Sequence, residues 1–239
     1  MAAGRLAEVL DRVTDLAAHG PAPLVVFDLD STLFTTRLRN LAILREFAEQ
    51  HQASFPDLAE QVRDLSVEQM GWGVLDPLRR RGYDPPELKS VFTPFWVDRF
   101  FTDDYLEHDE PNPGAVRFAV ACHERGALLY YLTGRHLGGM EQGTVHALLE
   151  HGFPLFRGRE VLHLKPAFDV PDFAYKQQAV AAIRSHHAPV VATFENEPGN
   201  ANLFLREFPD GLHFLLQTEH SPEAPEPDPT LIPIPDFRL

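Results

Sequence analysis

Five short apolar runs, at residues 24–27, 128–132, 161–164, 190–194 and 212–216, restrict what this chain can become more than any other feature. None shows sustained alternation of apolar and polar residues, so each reads as a strand buried on both faces. Helical patterns separate most of them. Asn112 followed by Pro113 reads as an N-cap and first helical position, opening a helix that closes near Gly126. A second helical pattern runs from about residue 140 to 151 and stops at Gly152, and a third runs from about 174 to 187, before Pro189. Ahead of the first run, Leu6, Val9, Leu10, Val13, Leu16 and Ala17 mark one face of a further helix. This alternation predicts an α/β fold: a Rossmann-like three-layer core with a mainly parallel five-stranded sheet covered on both faces.

The stretch 35–108 breaks the rhythm. It is too long for a loop in a compact domain, and it carries helical patterns at 38–51, 58–65 and 87–101. It is expected to be an inserted α-helical cap, leaving residues 1–34 plus 109–220 as the core. Residues 221–239 are rich in proline and acids, a composition that suits an extended tail or arm.

Composition sets outer limits. With 35 acidic against 21 basic residues the net charge is −14, which disfavours broad contact with nucleic acid or anionic lipid. A small phosphorylated ligand remains compatible, because a pocket's local field can oppose the overall sign. The first twenty residues carry Glu8, Asp11 and Asp15 where a signal peptide needs an apolar centre. The single cysteine, Cys122, cannot form an internal disulfide. No run approaches the roughly 20 apolar residues of a membrane span. A cytoplasmic protein with no membrane partner is the expectation.

In an open parallel sheet, ligands bind beyond the carboxyl ends of the strands. The first run ends in Asp28-Leu29-Asp30-Ser31-Thr32, the second in Thr133-Gly134-Arg135 and the fourth in Glu195-Asn196-Glu197-Pro198-Gly199-Asn200. Lys176 lies near the start of the helix leading into the fourth. Two carboxylates side by side repel unless a cation or a task holds them. A carboxylate nucleophile, a hydroxyl, an ammonium and a further acid on one edge suit phosphoryl transfer, where positioning and charge stabilisation dominate. Magnesium, a hard ion that takes oxygen ligands, suits the acids.

These residues resemble the haloacid dehalogenase superfamily of aspartate-nucleophile phosphatases. The likeness rests on DLDST, YLTGR, a lysine opening the penultimate helix and an acidic turn after the fourth run, with PNPGAVRFAVACHERG and GTVHALLEHGFPL around the threonine motif. It implies that Asp28 attacks phosphorus and binds Mg2+. It implies that Asp30 is general acid and base, its main-chain carbonyl also reaching the metal. Thr133 and Gly134 would hold the phosphoryl group, and Lys176 would steady nucleophile and phosphate. The fourth motif departs from the family's usual aspartates. Glu195 is the expected metal ligand ahead of Glu197, and Asn196 and Asn200 offer only neutral amides. Lys165 rivals Lys176. Arg135, Arg37 and Arg39 could reach substrate, although solvent is an arginine's default. The aromatic set Trp72, Phe92, Phe95, Trp96, Phe100 and Phe101 reads as cap core rather than as a substrate box. The implied activity is magnesium-dependent hydrolysis of a small phosphorylated metabolite through an aspartyl-phosphate. The alternatives are a phosphotransferase or mutase with the same intermediate, and a non-catalytic phosphate- or metal-binding protein.

Overall fold

Each of the five apolar runs becomes a strand, because four or five residues are too few for a buried helix and a covered sheet satisfies the backbone of a segment apolar on both sides. The computed structural model describes residues 2–239. Its first elements are α1 (Ala2–Ala17), β1 (Leu24–Phe27), β2 (Phe34–Thr35), α2 (Arg37–Gln50), α3 (Leu58–Arg63), α4 (Asp76–Arg80) and α5 (Leu88–Phe100). There follow β3 (Glu110–Pro111), α6 (Ala115–Glu124), β4 (Leu128–His136), α7 (Glu141–Glu150) and β5 (Glu160–Lys165). The chain ends with α8 (Asp172–Arg184), β6 (Val190–Glu195), α9 (Pro198–Glu207), β7 (Leu212–Leu216) and β8 (Ile232–Ile234).

The main sheet is parallel, in the order β5-β4-β1-β6-β7-β8. From β1 the chain builds outward through β4 and β5, then crosses to β6 and builds the other way. The carboxyl ends of β1, β4 and β6 therefore meet at a topological switch point, where such sheets open a crevice. Side chains along β1 divide between two cores. Val25 and Phe27 pack with Leu6, Val9, Phe118 and Leu148 from α1, α6 and α7. Leu24 and Val26 pack with Tyr175, Ile183, Leu203 and Phe204 from α8 and α9. The result is a three-layer α/β core.

Two expectations are corrected. The sheet has six strands, not five, and the sixth comes from the proline-rich tail. Apolar residues interrupt the prolines there, so Leu231, Ile234 and Phe237 are buried rather than extended into solvent. β8 pairs Phe214 with Ile232 and Leu216 with Ile234. It forms the sheet's edge, where Pro233 can sit without costing a ladder bond. Secondly, α6 starts at Ala115 and its N-cap is Gly114, not Asn112. Gly114 has φ +83°, and a Cβ there would stand 2.6 Å from the backbone of Phe237. The closing tail thus dictates a glycine. Asn112 instead donates from Nδ2 to the Thr32 carbonyl at 2.6 Å.

Residues between β2 and β3 form a helical layer with its own core, built around Leu44, Phe47, Leu58, Leu78, Leu88 and Phe92. The segment leaves and re-enters through a short antiparallel ribbon pairing Phe34 with Pro111 and Thr35 with Glu110. No helix among the described residues is long and apolar enough to cross a membrane.

Candidate active site

Asp28 directly follows β1, and its backbone N–H extends the ladder to the Phe194 carbonyl at 3.0 Å. The strand therefore aims its carboxylate at the switch point. Lys176, one turn into α8, donates to Asp28 Oδ1 at 2.7 Å and also to the Glu195 carboxylate. All three side chains are buried. Glu195 Oε2 accepts the backbone N–H groups of Asn196 and Glu197, each at 3.0 Å. Burial pushes the Asp28 carboxyl up to about 7; Lys176 opposes that rise, while Glu195 and Asp30 add to it. Two carboxylates share one ammonium, so the pocket floor is short of positive charge.

Asp30 has a different neighbourhood. Its Oδ1 accepts from Arg135 Nη2 at 2.6 Å and Nε at 3.1 Å, and from Arg39 Nη2 at 2.9 Å. Both guanidiniums continue to Asp109, with Arg135 Nη2 to Oδ2 at 2.6 Å and Arg39 Nε to Oδ1 at 2.9 Å. Burial works against the charged form of Asp30, but Arg135 and Arg39 overcome it and hold the carboxyl well below its ordinary value. Directly after Asp30 the chain turns through Ser31, which adopts φ +57°. A non-glycine residue in that region carries backbone strain.

The remaining expected residues divide as follows. Lys165 is bound elsewhere, 2.7 Å from Asp172 Oδ1, which leaves Lys176 beside the acid pair. Thr133 is buried at the end of the regular β4–β5 pairing, and its hydroxyl accepts the Arg135 N–H at 3.2 Å. Gly134, rather than Thr133, lines the cavity above the site. Asn196 is engaged, accepting from Thr32 at 3.2 Å and donating to the Glu219 carbonyl at 2.6 Å. Asn200, in the first turn of α9, lines the cavity, as does Glu197.

Two sequence readings are corrected, and one residue has no counterpart among them. Arg39 and Arg135 are fully buried in an ion cluster, not solvated. Only Arg37 keeps partial exposure, paired with Glu219. The aromatic set holds in part: Phe92 and Phe95 pack edge-on to Phe47 at 5.1 Å each, Trp96 and Phe100 pack against the same helical core while also lining the cavity, and Trp72 and Phe101 line the cavity. Asp109 was not anticipated at all. The available signal was Arg39 itself, four and eight residues ahead of Ile43 and Phe47 on the same helical stripe, which requires a buried acid as partner.

The fit of a divalent cation can be judged from the donors. No group of three acidic, histidine or cysteine side chains converges among the described residues. Magnesium does not require one, since it is commonly held by one or two carboxylates with water and substrate oxygens completing the shell. Asp28 supplies that donor type at the cavity, while Glu195 lies behind it, fully buried, with one oxygen on Lys176 and the other on two backbone N–H groups, and would have to release one of these to join it. The Asp30 carboxylate is occupied by guanidiniums, leaving only its main-chain carbonyl.

A parallel sheet with acids gathered at its switch point, beneath a helical layer, defines a class of α/β proteins rather than one protein. Neither a protein-family profile nor a curated protein sequence matches the chain. Solved structures do. A Clostridium difficile protein described as a "Putative Phosphatase" superposes with a TM-score of 0.54 at 13% identity, covering 90% of this chain and 94% of that one. Protein Tyrosine Kinase A (PtkA) of Mycobacterium tuberculosis gives 0.53 at 15% identity, with 90% and 94% covered. A Bacteroides fragilis protein described as a "Putative haloacid dehalogenase-like hydrolase" gives 0.50 at 10% identity, with 84% and 90% covered. The chain spans 65% of the length of a class C acid phosphatase from Bacillus anthracis, with a TM-score of 0.40. The chain has the haloacid dehalogenase-like fold.

Proposed function

We propose that this protein is a phosphomonoester hydrolase in which Asp28 is the nucleophile. One observation carries the reading: Asp28 and Lys176 are paired on the floor of a cavity of about 730 Å³ at the switch point of the sheet, and Lys176 also holds the buried Glu195 beneath them. The relatives in fold include proteins named for phosphatase, hydrolase and tyrosine kinase roles, so the fold alone leaves hydrolysis and transfer to be separated by the site.

An Asp28 oxygen would bond to phosphorus as the ester P–O bond breaks, releasing the alcohol and leaving an aspartyl-phosphate. Water would then attack that phosphorus, yielding inorganic phosphate and free Asp28. Lys176 steadies the nucleophile and offsets the charge of the phosphoryl oxygens. Asp30, held ionised by Arg39 and Arg135, can accept the proton from the attacking water, although the two guanidiniums make it a weaker base than a free carboxylate. It would protonate the leaving alcohol only after substrate phosphate draws a guanidinium away from it. Mg2+ would be held by Asp28, the Asp30 carbonyl and Glu195, with Asn200 facing the same space. When bound, it would supply charge neutralisation beside the nucleophile. The helical layer 35–108 would act as a cap, excluding water while substrate is bound.

The test is an assay of phosphate release from an aryl phosphate with and without magnesium, for the wild type and Asp28→Asn. Turnover that vanishes in the variant supports hydrolysis. Release of the aryl alcohol that depends on an added alcohol acceptor, with the phosphoryl group recovered as the acceptor's ester rather than as inorganic phosphate, points to a phosphotransferase. A folded wild type inert toward every ester and acceptor overturns the catalytic reading.

A further inference from the structure

The cavity is far larger than a phosphate requires, and its two ends differ in chemistry. The floor carries Asp28, Asp30, Lys176 and Arg135. Away from the floor the walls are Trp72, Trp96, Phe100 and Phe101 from the helical layer, faced by Phe173 from α8. These rings form an ordered wall. Trp96 and Phe100 stack at 4.6 Å between centroids with 28° between planes, and Phe101 stands edge-on to both. Trp96 Nε1 donates to Asn40 Oδ1 at 2.8 Å, which fixes the indole. The wall also reaches the floor, because the Arg39 guanidinium that binds Asp30 lies 4.4 Å from the centroid of Phe100.

Charge narrows the occupant further. The two cationic side chains lining the cavity, Arg135 and Lys176, are both already paired with acids on the floor. Asp172, Glu197 and Glu219 also line it, Asp172 paired with Lys165 and Glu219 with Arg37. A second phosphate or a carboxylate on the substrate would meet acids and no free cation. Hydroxyl and amide partners do line the cavity, at Ser31, Thr36, Asn40, Asn200 and Ser221, but a polyol laid along the rings would leave its hydroxyls there without the partners they have in water. A flat apolar ring would lose nothing by desolvation and would gain stacking contacts.

We propose that the alcohol portion of the substrate carries a planar apolar ring, held against Trp96 and Phe100, and bears no second anionic group. The claim rests on the phosphohydrolase reading and narrows it to a substrate class.

Leaving-group acidity must be kept constant in the test, so the probes are alkyl monoesters that differ only in the ring. Initial rates for 3-phenylpropyl phosphate, 3-cyclohexylpropyl phosphate and propyl phosphate are compared with magnesium present. The phenyl ester should exceed propyl phosphate in kcat/KM by about thirtyfold, from ring burial and stacking. It should exceed the cyclohexyl ester severalfold, since only a planar ring stacks. Trp96→Ala should reduce the phenyl-to-propyl ratio about tenfold, mostly through KM, and Trp96→Phe should restore part of it. A melting curve on each variant checks folding. Binding has a separate readout, because the chain's two tryptophans, Trp72 and Trp96, both line this cavity. Intrinsic fluorescence is therefore titrated with the non-hydrolysable 4-phenylbutylphosphonate. Equal rates for phenyl and propyl esters overturn the ring-bearing class and leave the hydrolase standing. Absence of turnover together with saturable quenching, weakened in Trp96→Ala, overturns the hydrolase and supports the ligand class. Neither turnover nor quenching overturns both.

Discussion

Lys176 Nζ lies 2.7 Å from Asp28 Oδ1 across 148 residues of chain, and the same ammonium also reaches Glu195. Burial alone would lower the lysine's pKa, yet Asp28 and Glu195 together hold it above its ordinary value. The lysine is the positive charge that makes two buried carboxylates tolerable.

Replacing it exposes that dependence. Lys176→Met removes the ammonium and strands Asp28 and Glu195 together in a buried site. A loss of about 3–5 kcal/mol in unfolding free energy is expected, the cost of breaking a buried pair from one side. Urea denaturation without added metal measures it.

Asp28 predicts a pH dependence of the opposite kind from most carboxylates. Its folded pKa, near 7, lies above the ordinary 3.8, so the native state holds the proton more tightly than the unfolded chain. That contribution is fully present below about 3.8 and is lost as pH rises through about 7. Asp28→Asn should therefore flatten the decline in stability between these limits. Metal-free melting temperatures across pH 4–8, wild type against variant, will show parallel curves if Asp28 is not the group responsible.

Magnesium binding at Asp28 and Glu195 should stabilise the fold by mass action. At a hundredfold excess over Kd the gain is about 2.7 kcal/mol, or roughly 5–10 °C for a chain of this size. Glu195→Gln should remove most of that response. Thermal scans with magnesium and with chelator decide it.

Asp109 holds both guanidiniums that reach Asp30. Asp109→Ala would leave Arg39 and Arg135 with Asp30 alone, two buried guanidiniums on one carboxylate. A destabilisation of about 3–5 kcal/mol is expected. Its coupling to Arg39, read from a double-mutant cycle with Arg39→Met, should exceed 1 kcal/mol, a typical size for residues in one ionic network.

Cys122 lies on the buried face of α6, and burial drives its thiol well above the ordinary value. A neutral, enclosed thiol is unreactive. An aromatic disulfide reagent should label the protein only in denaturant, with one equivalent released.

The strand runs, most of the helices and the acids at strand ends were legible because each is a local pattern. Periodicity places Val25 and Phe27 on one face of β1 and Leu24 and Val26 on the other, and a carboxylate after a buried strand has few places to go. Lys176 could be favoured over Lys165 because it opens the correct helix, although only the packed α8 brings it to Asp28. The tail was misread for lack of a local signal. Ile232 and Ile234 form a strand only because β7 offers an unpaired edge, and Phe237 is buried only because Gly114 lets it approach.

The amino-acid order by itself determined the elements of the core and the chemical types gathered at its switch point, since both follow from the spacing of apolar and acidic residues along one segment at a time. Tertiary structure decided which charges meet and which rings face the cavity. The Arg39–Asp109–Arg135 cluster, and the division of six aromatic residues between helical core and cavity wall, depend on distances through space that no spacing along the chain encodes.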